Sequence, residues 1–170
     1  MLTEVGVMRD LAGVDATLVG TVPLGIDVPG SDLDIICRAR VPDAFERELR
    51  RLYGSAAGFR LDRRAGPTGR ARSLGRFTAG GEQLEIFGED VPVEEQAGFC
   101  HMVVEARLLE LGGDALRRRV VERKRAGERT EPAFAAELRL DGDAYERIHA
   151  LHHATDEVLA DLIRRAAGPA

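Results

Sequence analysis

The chain has 170 residues, of which 44% are hydrophobic and 31% are charged. This length and balance allow one compact domain with a sizeable core, which excludes a wholly disordered or fibrous protein. No run approaches the roughly 20 apolar residues that span a bilayer. The acidic Glu4 stands where a secretory signal needs positive charge. We therefore expect a cytoplasmic protein with no membrane partner.

The charge is distributed unevenly along the chain. A net charge of −5 argues against generic binding of duplex DNA, which requires an excess of Lys and Arg. Acids dominate residues 1–37 and 77–114, whereas bases dominate residues 38–76, where the net charge is +7. Cys37 and Cys100 are too few for a disulfide framework, and their apolar surroundings predict buried thiols.

Turn residues and hydrophobic spacing predict strands in the first half of the chain, with two helices among them. Gly54 ends the second helix, and Gly80-Gly81 is typical of a hairpin turn. The predicted elements are a helix over 3–13 with Thr3 as its N-cap, a strand over 16–22, a loop over 23–31, a strand over 33–39, a helix over 42–53, strands over 59–63 and 72–79 around a loop over 65–69, and a strand over 82–88.

From Pro92 onward the spacing of apolar residues predicts helices. They are expected over 92–111 with an end at Gly112-Gly113, then over 114–125, 132–138 and 143–166. Strands with one crossover helix followed by helices predict an α+β fold, in which a mixed sheet packs with helices. We expect an α/β core over 1–90 and a helical part over 91–170 that packs on the core as one compact unit.

Two acids open the second predicted strand. Residues two apart in a strand point to the same side, so Asp32 and Asp34 aim at one point if that strand begins at Asp32. Neighbouring carboxylates repel each other unless they share a proton or a cation. Oxygen donors of this kind suit Mg²⁺, which binds through one or two carboxylates together with substrate phosphates.

A third acid and a glycine turn extend this pattern. Glu85 lies between Leu84 and Ile86, so it points away from the core or meets a partner. It completes a three-carboxylate site if its strand neighbours residues 33–39. Gly20-Thr21 combines a small backbone with a hydroxyl at the end of a strand, which lets a phosphate approach backbone N–H groups. The Ser31 hydroxyl is either a further phosphate donor or a simple cap.

These segments resemble the DNA polymerase beta-like nucleotidyltransferase superfamily. Its pattern is an apolar residue, Gly and then Gly or Ser, followed after nine to thirteen residues by Asp-apolar-acid-apolar, with a later acid on a strand. The matching segments are Val19-Gly20-Thr21, Asp32-Leu33-Asp34-Ile35 and Leu84-Glu85-Ile86. Thr21 departs from the usual Ser or Gly. The strings GTVPLGIDVPGSDLDIIC, LEIFGEDVPVEEQAGFCHMVVEARLL and TEPAFAAEL resemble a bacterial domain family of unknown function assigned to this superfamily, over nearly the whole chain.

The resemblance implies a nucleotidyltransferase-like fold and a metal-dependent transfer reaction. Asp32, Asp34 and Glu85 would be catalytic and would bind two divalent ions, Mg²⁺ or Mn²⁺. Gly20 and Thr21 would hold the phosphates of ATP or another nucleoside triphosphate. An acceptor hydroxyl on a small molecule, an RNA or a protein would attack the α-phosphorus and release pyrophosphate, and Glu85 is a candidate for taking up its proton.

Other interpretations of these residues remain open. Asp32 alone would serve as a turn cap and Asp34 as the partner of an arginine. The same fold would also suit a catalytically inactive nucleotide-binding or protein-interaction module, such as an antitoxin-like protein. Further residues have both a structural and a functional interpretation. They are His101 and Glu105 (packing or acceptor binding), His149, His152 and His153 (packing or zinc), the basic run over 117–125 (solvated face or RNA guide), and Arg70, Arg72 and Arg76 (solvated, or facing the triphosphate or acceptor).

Overall fold

The computed structural model describes residues 6–66 and 69–168. Two compact units are present. The first comprises the described residues through Gly20 together with Gly30–Phe99, and the second comprises Thr21–Pro29 together with the described residues from Cys100 onward. The predicted cap Thr3 and the centre of the predicted loop, Pro67-Thr68, lie outside the described residues.

The described residues contain seven α-helices and five strands. In chain order they are α1 (Val7–Asp10), a 3-10 helix (Ala12–Val14), β1 (Thr17–Val19), α2 (Thr21–Leu24), β2 (Leu33–Arg38), α3 (Pro42–Tyr53), β3 (Ala57–Ala65), β4 (Ala71–Ala79), β5 (Glu82–Glu89), a 3-10 helix (Val93–Glu95), α4 (Ala97–Arg125), α5 (Thr130–Glu137), α6 (Ala144–Ala150) and α7 (Asp156–Ala167).

The strands form one mixed sheet in the first unit, in the order β1-β2-β5-β4-β3. Only the β2–β5 pair is parallel, and the other three pairs are antiparallel. Gly80 and Gly81 join β4 to β5 with φ values of 59° and 84°, as a tight hairpin turn requires. The predicted α+β class is therefore confirmed.

One face of this sheet packs on α3. Leu33, Ile35 and Ile86 are at most 1% exposed on that face. A Cβ at Gly88 would lie 2.2 Å from the Phe45 ring, so the absence of a side chain lets α3 approach the sheet. Because side chains alternate along a strand, the residues between these buried positions, Asp34 and Glu85 among them, belong to the opposite face.

The predicted end of the first strand is wrong, whereas the second strand starts where it was predicted. The strand expected over 16–22 ends at Val19, because Gly20 has a φ of +77° and leaves the extended conformation. Thr21 then begins a single helical turn in place of the predicted strand end and loop. The next strand begins at Leu33, one residue after Asp32.

The helix predicted over 143–166 is also wrong, because it is two helices. Asp143 caps α6 by accepting a hydrogen bond from Glu146 N at 2.9 Å. Thr155 caps α7 by accepting one from Val158 N at 3.5 Å. A second cap within the predicted helix starts a new helix. The break predicted at Gly112-Gly113 is confirmed, because Gly113 has non-helical dihedral angles inside α4.

The second unit has its own apolar core. Leu24 and Ile26, from the short segment Thr21–Pro29, are buried with residues of the C-terminal helices. Arg117 of α4 fixes this segment, since its guanidinium donates to the carbonyl of Leu24 at 2.5 Å. The other members of the core are Val104, Leu108, Leu109, Leu116, Val120, Ala133, Phe134, Leu138, Ile148 and Leu159.

Polar groups are buried beside this core. Glu105 is 2% exposed and Lys124 is 7% exposed. Among the described residues, Glu105 Oε1 has no hydrogen-bond partner. Burial raises the pKa of Glu105 well above its usual value of 4.5; the charge of Glu131 adds to the rise and that of Lys124 opposes it. The carboxyl group is thus kept neutral at a pH where an exposed glutamate is ionised.

We predict that Glu105→Gln raises the melting temperature, and that the gain grows with pH. The folded state holds a proton that the unfolded chain loses above about pH 4.5, so wild-type stability falls as pH rises from there towards the raised pKa. Glutamine removes that loss. Thermal unfolding at pH 4.5 and pH 8 should show a gain of a few degrees at pH 8 only, since about 1 kcal/mol corresponds to 2–4 °C.

Glu110→Gln is the matched control, because Glu110 is exposed on the same helix. It should change the melting temperature at neither pH. A loss of stability in Glu105→Gln at both pH values would contradict the neutral carboxyl and indicate an ionised pair with Lys124.

Candidate functional site

Four residues form a row across the face of the sheet opposite α3. Val19 pairs with Asp34, Asp34 with Glu85, and Glu85 with Arg76 in the strand register. Residues directly opposite each other on neighbouring strands have Cβ atoms about 4.5–5.5 Å apart and share a face. The pairing of β2 with β5 therefore brings two carboxylates side by side, with an arginine next in the row.

The backbone at Gly20 closes on one of these carboxylates. Gly20 follows β1 with a φ of +77°, a conformation that favours glycine. A Cβ at this position would lie 2.6 Å from Asp34 Oδ2, closer than side chains allow. Glycine is therefore required twice, by the dihedral angle and by the space that the carboxylate occupies.

The other predicted phosphate and metal residues lie near this row in the chain. Ser31 and Asp32 are partly buried and directly precede β2. Because β2 begins at Leu33, the alternation of a strand does not by itself place Asp32 beside Asp34. Thr21 is 7% exposed and begins α2, in the second unit. The structure thus brings Gly20, Asp34 and Glu85 together, while the roles of Thr21, Ser31 and Asp32 stay predictions.

Arg76 holds the third acid of the predicted set. Its Nε donates a hydrogen bond to Glu85 Oε1 at 2.5 Å, and its Nη1 lies 3.4 Å from Asp62 Oδ2. The Glu85 side chain is 22% exposed. Glu85 therefore has one oxygen engaged by a fixed cation, while Oε2 takes no part in this hydrogen bond.

Arg72 lies within the electrostatic reach of the carboxylates, and the sequence alone does not distinguish it from Arg70 and Arg76. Its guanidinium carbon lies 4.5 Å from the centre of the Phe87 ring. Burial lowers the pKa of Arg72, while the charges of Glu89, Glu85 and Asp34 raise it. The available signal was the alternation of β4, which puts residues 72 and 76 on one face. Arg70 instead donates to the carbonyl of Asp90 at 2.5 Å.

The carboxylates fit a divalent ion whose remaining ligands are phosphate oxygens. Asp32 and Asp34 carry carboxylate oxygens, the donors that Mg²⁺ and Mn²⁺ prefer, and the backbone of Gly20 lies against the Asp34 carboxylate. However, no group of three His, Cys, Asp or Glu among the described residues is arranged to hold a metal. Glu85 is engaged by Arg76. The residues therefore fit an ion held by one or two carboxylates together with phosphate oxygens.

The histidines of the second unit contact each other and an acid. His101 is buried, with Nδ1 3.0 Å from Glu131 Oε1, and its ring meets that of His149 edge to face at 5.6 Å. The rings of His152 and His153 lie 4.9 Å apart. Burial and the neighbouring histidines lower the pKa of His149. These contacts favour the packing interpretation over acceptor binding or zinc.

The basic run of α4 is largely used within the helical unit. Arg119 and Arg123 each donate to Glu137 at 2.5 Å, and Arg117 donates to the backbone of Leu24. These partners favour a structural role over an RNA guide.

Within the described part of the chain, no helix has both the length and the apolar character needed to cross a membrane.

Comparisons with known proteins identify the family. A family model described as "Domain of unknown function (DUF4269)" matches residues 1–151. The chain belongs to this family. No curated protein matches the DUF4269 chain.

Solved structures resemble the DUF4269 chain in fold. The Cid1 poly(U) polymerase with MgGTP bound is 13% identical with a TM-score of 0.51, over 85% of this chain and 44% of that one. Cid1 with Mg 3′-dATP bound is 13% identical with a TM-score of 0.52, over 86% and 45%. The structure of the GLD-2/RNP-8 complex is 12% identical with a TM-score of 0.52, over 99% of this chain and 61% of that one. The chain spans about half the length of these structures, and the likeness shows a nucleotidyltransferase-like fold.

We predict that Gly20→Ala destabilises the protein more than an alanine at another glycine with positive φ. The left-handed conformation costs a non-glycine residue about 1–2 kcal/mol, and the new Cβ also displaces the Asp34 carboxylate. The melting temperature should fall by about 4 °C or more, measured by thermal unfolding. Gly81→Ala is the control, since its φ is +84° and no atom lies within 4 Å of its Cβ.

Asp34→Ala in the Gly20→Ala background isolates the close approach. The double variant should recover part of the loss, because the clashing oxygen is gone. Equal losses in Gly20→Ala and Gly81→Ala would contradict the approach of the Gly20 backbone to Asp34.

Proposed function

We propose that this DUF4269 protein is a metal-dependent nucleotidyltransferase, which transfers a nucleoside monophosphate from a nucleoside triphosphate to a hydroxyl acceptor and releases pyrophosphate. The observation that carries the proposal is the row of Asp34 and Glu85 beside the backbone of Gly20. The sequence motifs of the superfamily fall on these same residues. The fold shared with Cid1, solved with MgGTP and with Mg 3′-dATP, adds support.

The proposal assigns the phosphates to the turn after β1. Gly20 and Thr21, helped by Ser31, bind the β- and γ-phosphates, because a residue without a side chain exposes its backbone N–H to phosphate oxygens. Asp32 and Asp34 would hold Mg²⁺ or Mn²⁺ together with phosphate oxygens, and Glu85, one of whose oxygens is engaged by Arg76, would face the acceptor. Bound ions supply neutralisation of the phosphate charge and a template for in-line displacement.

Glu85 receives the proton in this scheme. The acceptor oxygen forms a bond to the α-phosphorus while the bond to the pyrophosphate oxygen breaks, and the hydroxyl proton passes to the Glu85 carboxylate. Arg76 engages Oε1 of that carboxylate, and Oε2 is the oxygen that would take the acceptor proton. Arg76 is a positioning residue, because it acts on the acceptor through Glu85.

A second candidate function is a nucleotide-binding or protein-interaction module without turnover. Two observations favour it. Glu85 is already engaged by an arginine, and Thr21 adds a methyl group at a buried position of the phosphate turn. The two candidates differ in whether bound nucleotide is consumed.

We predict that Asp34→Asn weakens the binding of triphosphate with Mn²⁺ at least tenfold and abolishes transfer. The amide keeps the size of the side chain and removes the charge that attracts the ion. Calorimetric titration with ATP, GTP, CTP and UTP in Mn²⁺ measures binding, and transfer of α-labelled nucleotide to small-molecule, RNA and protein acceptors measures turnover. Glu82→Gln, at the hairpin end of β5, is the control and should match the wild type.

The outcomes separate the candidates. Transfer by the wild type that is lost in Asp34→Asn supports the enzyme. Binding without transfer to any acceptor contradicts the enzyme and supports the module. A wild type that binds no triphosphate, or a fully active Asp34→Asn, overturns the site itself.

A further inference from the structure

The arginine beyond the carboxylates has an unused hydrogen-bond donor. Arg72 Nε is buried, yet it has no hydrogen-bond partner among the described residues. Buried polar groups are nearly always paired in native proteins, so an exception calls for an explanation such as a missing ligand. A guanidinium cannot escape this by losing its proton, because it stays charged in proteins.

Two other arginines, one on β3 and one on β4, have carboxylate partners. Arg63 donates to Glu46 at 2.6 Å, and Arg76 donates to Glu85 at 2.5 Å. Arg72 differs, although the charges of Glu89, Glu85 and Asp34 act on it, and its guanidinium carbon lies over the Phe87 ring. Contact with the ring holds the guanidinium in place, while the Nε–H donor remains for a ligand.

The position of Arg72 relative to the other site residues indicates which ligand it meets. In the sheet, the order is β1 with Gly20, then β2 with Asp34, β5 with Glu85, and β4 with Arg72. In an in-line displacement the attacking and leaving oxygens lie on opposite sides of the phosphorus. If the pyrophosphate leaves on the Gly20 side, the acceptor enters on the β4 side, where Arg72 lies.

We infer that the acceptor carries a phosphate group, and that Arg72, stacked on Phe87, binds this phosphate while the acceptor hydroxyl faces Glu85. This inference rests on the proposed function and names its substrate class. Phe87 follows Glu85 by two residues, which is about 7 Å along a strand. That distance suits a hydroxyl and a phosphate carried by one sugar. Phosphate matches a guanidinium in charge and in the geometry of its acceptor oxygens.

The Nε–H resonance of Arg72 in ¹⁵N-edited NMR spectra tests the inference directly, and Arg72→Lys assigns it by its loss. With the wild type saturated with a non-hydrolysable triphosphate and Mg²⁺, the probes are ribose 5-phosphate, a six-residue oligoadenylate RNA and neutral ribose. We expect the resonance to shift with a phosphate-bearing probe and to stay in place with ribose. A response to ribose 5-phosphate alone assigns a small sugar phosphate, and a response to the oligonucleotide alone assigns an RNA end.

Affinities of variants provide the second measurement. Arg72→Gln should weaken binding of the responding probe at least tenfold and leave triphosphate binding within twofold. Arg64→Gln is the matched control, because Arg64 is the exposed register partner of Arg72 on β3, and it should change neither affinity. Phe87→Leu keeps the guanidinium but removes its contact with the ring. It should therefore weaken binding of the probe, but by less than Arg72→Gln does.

Three results would overturn the inference. They are an Arg72 resonance that no phosphate-bearing probe moves, an equal response to neutral ribose, and an Arg72→Gln variant that weakens the triphosphate as much as the acceptor probe. If the wild type binds triphosphate while no phosphate-bearing probe shifts the Arg72 Nε–H resonance, only this inference fails. If the wild type binds no triphosphate, the proposed function fails instead.

Discussion

The parallel pairing of β2 with β5 is the constraint on which the candidate site depends. It sets Asp34 directly beside Glu85 in the middle of the sheet. The turn after β1 then brings the Gly20 backbone against the Asp34 carboxylate, at a distance that no side chain would permit. These two contacts place a carboxylate pair and exposed backbone together, which are the elements that phosphate chemistry with divalent ions requires. A change in the β2–β5 register by one residue would put the two carboxylates on opposite faces of the sheet.

Adjacent carboxylates repel each other, and the protein balances them with arginines from the next strand. Arg76 pairs with Glu85, and the charge of Arg72 acts on both Glu85 and Asp34. The alternation of acidic and basic blocks along the sequence thus becomes a row of opposite charges across neighbouring strands. An acidic total charge is therefore compatible with a polyanionic ligand, since cations stand between the ligand and the acids.

Much of the fold could be predicted from local signals. The bounds of α3 follow from Pro42 and Gly54, and the β4–β5 hairpin follows from Gly80-Gly81. The acids of the site were predicted from motif spacing and resemblance, but their adjacency needed the strand order, which is a property of the tertiary structure. The end of β1 was missed because Gly20 leaves the strand to approach Asp34. The helix predicted over 143–166 was wrong because Thr155 caps a new helix. A threonine caps a helix only where the backbone before it is not helical, and the sequence pattern does not show where that happens. The sequence does not predict that Arg72 Nε has no partner among the described residues, since this depends on which acceptors the folded chain brings within reach.

A crystal structure of the wild-type protein soaked with a nucleoside triphosphate and Mn²⁺ would show whether the carboxylates hold an ion beneath the phosphates. Anomalous scattering locates the metal independently of the phosphates. We expect a manganese peak at Asp32 and Asp34 beneath phosphates that contact the backbone of Gly20 and Thr21. Manganese away from these carboxylates, or a triphosphate bound away from Gly20, would contradict this expectation.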